Sequence, residues 1–107
     1  MTPNIAFRPE GGALIVYLSG EIDHHAASFL RMQIDQQIGM NQPERLILDF
    51  HRVGLMDSSG IGLILGRYHR MRESGGSLEL RGLSHQLETT VRLAGLTSDI
   101  HIRGEEE

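Results

Sequence analysis

Apolar residues along this chain alternate between two spacings, and the changes of spacing divide it into strands and helices. Ile5 to Pro9 and Ala13 to Leu18 flank Glu10-Gly11-Gly12, which predicts two strands joined as a hairpin. Ser19-Gly20 is expected to end the second strand, leaving Glu21 to His25 as a polar loop with Asp23 as a helix cap. Ala27, Leu30, Ile34 and Ile38 then recur every three or four residues and predict an amphipathic helix from Ala26 to Ile38, stopped by Gly39 and a turn from Asn41 to Pro43. Leu46 to Phe50 is continuously apolar, the pattern of a strand covered on both faces. Beyond Asp57-Ser58-Ser59, the residues Ile61, Ile64, Leu65 and Tyr68 share one helical face, with Arg67, Arg70 and Arg72 assigned to the wet side and Gly75-Gly76 as the break. Ser77 to Arg81 alternates as a strand. Ser84 opens a third helix with Leu87, Val91 and Ala94 inside, Glu88 in its first turn and Gly95 at its end. Ile100 to Ile102 is a last short strand.

The order β-β-α-β-α-β-α-β predicts a single α/β domain over residues 1–103: a small mixed sheet with right-handed crossovers through its helices. Residues 104–107 are expected to be an acidic, disordered tail. At 107 residues the chain suffices for one core, and 39% hydrophobic with 22% charged residues is the balance of a globular domain. No apolar run has the length of a membrane span and no leader-like block stands at the N-terminus, so a cytoplasmic protein with no membrane partner is expected. A formal charge of −4 argues against a direct nucleic-acid binder, whose affinity comes from clustered basic residues on phosphates. The absence of cysteine removes thiolate chemistry. All ten basic residues are arginines, which removes lysine Schiff bases, the lysine of phosphate-cradling loops and the receiver-domain lysine.

What chemistry remains gathers around Ser58 and Ser59. A strand, a short loop and a helix opening behind two serines put a hydroxyl at the positive end of a helix, where a phosphate is favoured. The plainer alternative is that one serine caps that helix. Gly60 and Gly62 leave room for a partner, and Gly62 costs the helix about 1 kcal/mol relative to alanine. The pattern Gly60-x-Gly62-x-x-x-Gly66, with Glu79 downstream, resembles a dinucleotide fingerprint. It is rejected because the preceding strand ends near Phe50, far from the glycines, and because the chain is short. Asp49 reads as a polar residue at a strand end. His24-His25 beside Asp23 lack ligand spacing, so no metal is expected. Met56 stands where a Gly-x-Ser-x-Gly elbow needs glycine, although a triad from distant residues stays open. Parallel second and third strands would bring Glu21 and Asp23 to the same sheet edge as Asp57 and Ser58.

Gly20-Glu21-Ile22-Asp23-His24-His25 and Met56-Asp57-Ser58-Ser59-Gly60-Ile61-Gly62-Leu63-Ile64-Leu65-Gly66-Arg67-Tyr68 closely resemble the anti-sigma factor antagonists of the STAS domain family, nearest to their sporulation branch. The resemblance covers nearly the whole domain. It implies a small mixed sheet with helices mainly on one face, and a regulator with no catalytic residues and no cofactor. The unmodified form would bind an anti-sigma factor that is itself a serine kinase and so release a sigma factor. Phosphorylation would end that binding, and a serine phosphatase would restore it. The implied phosphoacceptor is Ser58. Asp23 matches a partner-contact position, and Glu21, His24, Asp57, Ser59, Gly60 and Gly62 complete the expected contact set. Family members commonly continue into a C-terminal helix, which has no counterpart after Ile102 here. Two other readings remain: a STAS module that scaffolds a larger sensory complex, and a receiver-like or small hydrolytic domain.

Overall fold

The structure is a computed structural model that describes residues 5–96 and 99–104. Its elements run β1 (Ile5–Glu10), β2 (Ala13–Ile22), α1 (His24–Asn41), β3 (Arg45–Met56), α2 (Ser58–Glu73), β4 (Ser77–Leu83), α3 (His85–Leu93) and β5 (His101–Gly104). The order of elements is the expected one. The five strands lie in chain order, with β1 antiparallel to β2 and the remaining neighbours parallel. Every parallel step goes the same way across the sheet, so right-handed crossovers deliver α1, α2 and α3 to one face.

That face holds the core. Leu14, Val16 and Leu18 of β2, Leu46, Leu48 and Phe50 of β3 and Leu78 and Leu80 of β4 point at Leu30 and Ile34 of α1, Ile64 and Met71 of α2 and Val91 of α3. The opposite face has only a small patch of Ala13, Ile15 and Ile47, with Tyr17 packed on it. The continuous apolar run in β3 therefore does not signal helices on both sides. Ile47 is buried among neighbouring strand side chains alone. Phe50 is 1% exposed, and Phe50→Ala is expected to cost about 3–5 kcal/mol of unfolding free energy in urea titrations.

Several boundaries differ from those expected. β2 does not end at Ser19-Gly20 but continues to Ile22, and β3 continues past Phe50 to Met56. Past Asp49, β3 no longer pairs with β4, and the β2–β3 ladder runs on alone through two register shifts. α1 begins at His24, passes through Gly39 and ends at Asn41, with Gln42 in the left-handed region as its cap. Ala94 is exposed beyond the end of α3. In α2, Leu65 is exposed, whereas Arg67 is buried on the stripe Gly60, Leu63, Ile64, Arg67, Met71. Gly104 belongs to β5 rather than to a tail, and residues 105–107 lie outside the described residues. No helix among the described residues is long and apolar enough to cross a membrane.

Candidate functional site

The β2–β3 extension carries the site. Because Ile22 pairs with Met56, the next residues, Asp23 and Asp57, leave the ribbon side by side, and the Asp57 amide donates to the Ile22 carbonyl at 3.2 Å. Each aspartate caps a helix. Asp23 Oδ1 accepts from the Ala26 amide at 2.9 Å and Asp57 Oδ1 from the Ser59 amide at 2.8 Å. Two helix N-termini thus open at one sheet edge, each closed by a carboxylate worth about 1 kcal/mol as a cap.

The cap on α2 is Asp57, not a serine. The plain reading of Ser58 or Ser59 as the capping residue is set aside, and both hydroxyls are left outside the cap. Ser58 is the first helical residue and is exposed. Ser59 is half-buried and turns toward α1. There it lines a groove of about 340 Å³ with His24, Ala27, Ser28, Arg31 and Gly62. A wider surface depression of about 830 Å³ continues along α1 past His25, Phe29 and Met32 to Asp35 and Arg67.

Of the expected contact residues, Glu21, Asp23, His24, Asp57 and Gly62 are exposed at this edge. Gly60 is not. It is buried, and a Cβ there would collide with the Met56 side chain and meet Ile22 Cγ2 at 3.4 Å. Gly60 is a packing glycine between helix and ribbon, and it leaves the contact set. Gly62 is the reverse case, since a Cβ at this position would meet nothing within 4 Å. β3 ends at Met56 and the glycines follow it closely, so distance from the strand does not exclude the dinucleotide fingerprint. It fails because Gly60 and Gly62 lie inside α2 and neither has positive φ, so no glycine turn faces a phosphate.

Asp49 is not at a strand end. It sits mid-strand, is buried, and is paired with His51 and Arg81. Beside the groove, Arg67 Nε lies 3.0 Å from Asp35 Oδ1, yet the N–H does not point along that line and Arg67 Nη1 has no hydrogen-bond partner among the described residues. Burial pushes the Arg67 guanidinium below its usual range, and Asp35 opposes that shift. The sequence reading missed Ser28, Arg31, Asp35 and Arg67. The first two were legible, because His24, Ala27, Ser28 and Arg31 recur at helical spacing on one face of α1.

The STAS domain model matches residues 4–107. The chain is 38% identical over 96 residues to an anti-sigma F factor antagonist of Paenibacillus polymyxa, a match covering 90% of this chain and 82% of that one. It is similar to the solved structure of the anti-sigma factor antagonist SpoIIAA in its unphosphorylated form, with TM-score 0.80, 29% identity, and coverage of 95% of this chain and 90% of that one. It is also similar to the Bacillus cell fate determinant SpoIIAA in the phosphorylated form, with TM-score 0.74, 29% identity, and coverage of 95% and 93%. Matched over nearly its whole length by the family's own pattern and by its solved structures, the chain belongs to the STAS domain family.

Proposed function

We propose that this chain is an anti-sigma factor antagonist that works as a phosphorylation-controlled partner switch. In its unmodified form it binds an anti-sigma factor with serine kinase activity, and the sigma factor held by that protein is released. Transfer of phosphate from ATP to Ser58 ends the binding, and a serine phosphatase resets the cycle in the cytoplasm. The chain supplies an acceptor and a docking surface, while the kinase supplies nucleotide, metal and base. Its relatives carry the antagonist name, and one similar structure is of a phosphorylated form.

The observation that carries this reading is the cap. Asp57 Oδ1 takes the capping hydrogen bond from the Ser59 amide, so the exposed Ser58 hydroxyl can be modified without removing the cap. The test is phosphopeptide mass spectrometry on the chain incubated with ATP and the anti-sigma factor it captures. Phosphate on Ser58 is the expected result. Phosphate on Ser59 with Ser58 unmodified would move the acceptor, and no phosphate on either would remove the switch.

Glu21, Asp23, His24, Asp57, Ser59 and Gly62 would form the docking patch, bordered by the exposed Phe29 and Met32 of α1. Gly62 offers a separate check. Nothing inside the domain needs it, so Gly62→Ala is expected to stabilise the free chain by about 0.5–1 kcal/mol through helix propensity. If a partner packs against bare backbone there, the same substitution weakens binding. Thermal unfolding together with calorimetric titration of the anti-sigma factor reads both effects.

A further inference from the structure

We propose that Arg31 seats an acidic side chain of the anti-sigma factor, in a docking groove that runs along α1 away from Ser58, and that Phe29 and Met32 take an apolar neighbour of that acid. The inference rests on the proposed function and supplies the chemistry of the partner's side of the interface.

Arg31 is exposed, and it lines both the groove of about 340 Å³ beside Ser59 and the depression of about 830 Å³ that continues it. None of the ion pairs among the described residues involves it. The walls of the smaller groove hold no carboxylate. The wider depression holds only Asp35, which is already engaged. Arg67 Nε lies 3.0 Å and Arg70 Nη1 4.0 Å from Asp35 Oδ1. Three guanidiniums and one carboxylate thus meet on the seam between α1 and α2. Arg67 gives an independent sign of the same shortage of acid. Its side chain is 8% exposed, and its Nε and Nη1 have no hydrogen-bond partner among the described residues. Burial is the main reason its guanidinium sits below its usual range, and the positive charges of Arg31 and Arg70 add to that shift. An anion on Arg31 offsets this repulsion, so both arginines favour it.

Charge sets the class of occupant and its direction. Glu21, Asp23 and Asp57 are exposed at the sheet edge on a chain of formal charge −4, so an acidic segment is repelled there and is favoured further along α1, at Arg31. A cationic segment has the opposite preference. The partner is therefore expected to present both signs, with its carboxylate on the α1 side. A guanidinium can take that carboxylate with two parallel hydrogen bonds. Phe29 and Met32, 44% and 61% exposed, line the same depression. A small free anion would leave their apolar surface in water, whereas a peptide segment covers it.

Calorimetric titration of the anti-sigma factor onto the whole chain, together with initial rates of Ser58 phosphorylation, tests this. Arg31→Gln is expected to weaken binding about tenfold and Arg31→Glu about a hundredfold, while Arg31→Lys keeps most of the affinity. Arg45→Glu makes the same change of charge at the other end of β3 from Met56 and should bind like the original. Both positions are exposed, so all four variants should unfold like the original. In the rate measurements Arg31→Glu should raise KM and leave kcat within about twofold, because docking is lost while the acceptor is untouched. Arg31→Glu binding as tightly as the original, or Arg45→Glu losing as much, would overturn the docking site. A fall in kcat at unchanged KM would place Arg31 in the transfer step and overturn it as well. In each of those cases phosphate on Ser58 leaves the switch standing. An original chain that neither binds the anti-sigma factor nor accepts phosphate removes both.

Discussion

Ser58→Asp is expected to weaken binding of the anti-sigma factor by about a hundredfold, close to 3 kcal/mol, while the unfolding transition of the free chain stays essentially in place. The two halves of that expectation come from the same residue. At the first position of α2, capped by Asp57, an added negative charge interacts favourably with the helix by about 0.3–1 kcal/mol, so the fold tolerates it. A partner surface that closes over this edge meets the new charge beside Asp23 and Asp57 and must desolvate it near two like charges. A phosphate carries about −1.5 to −2 charges at pH 7, so the modified protein should lose more than the aspartate variant does. Ser58→Ala is expected to bind like the unmodified chain and to accept no phosphate. Calorimetric titration of the three forms checks the series. An aspartate variant that binds as tightly as the original would rule out charge at this position as the switch.

Asp35→Ala is expected to cost about 3 kcal/mol in urea unfolding, the low end of the range for a broken buried pair because Asp35 is partly exposed. It strands Arg67, whose guanidinium is buried between α1 and α2 with Nε and Nη1 already lacking hydrogen bonds among the described residues. Arg67→Met should cost far less. It removes the buried cation, fills a similar volume, and leaves Asp35 with access to water and with Arg70 Nη1 4.0 Å away. Adding Arg67→Met to Asp35→Ala should therefore recover most of the loss. Equal costs for the two single variants would show that the pair is net stabilising in its own right.

The sequence revealed some of this and hid the rest for identifiable reasons. Caps were legible where the capping residue directly precedes an apolar-periodic run, as at Asp23 and Ser84. At the start of α2 the hydroxyls of Ser58 and Ser59 competed for the role, and the aspartate before them took it. Core positions in α1, and Leu78 and Leu80 in β4, followed periodicity and were found. The far halves of β2 and β3 were not, because a two-stranded ribbon with register shifts, standing beyond the sheet, buries only Ile22, Val53 and Met56 and keeps no regular alternation. Arg67 was misplaced because charge was given more weight than position, although its spacing from Leu63, Ile64 and Met71 is that of the buried stripe. Asp49 was misjudged for the same reason as β3, since ending the strand early turned an interior carboxylate into a terminal one.

The strands occupy the sheet in the order in which they are made, and that sequence never doubles back. Open α/β sheets hold nucleotides in the crevice where the winding reverses and two helices part to opposite sides. With no reversal here, no such crevice opens, and the carboxyl edge is crowded by two capped helices instead. A domain wound in a single direction lacks that switch-point crevice at its carboxyl edge. Under the proposed function, Ser58 meets the phosphoryl donor in another protein's active site.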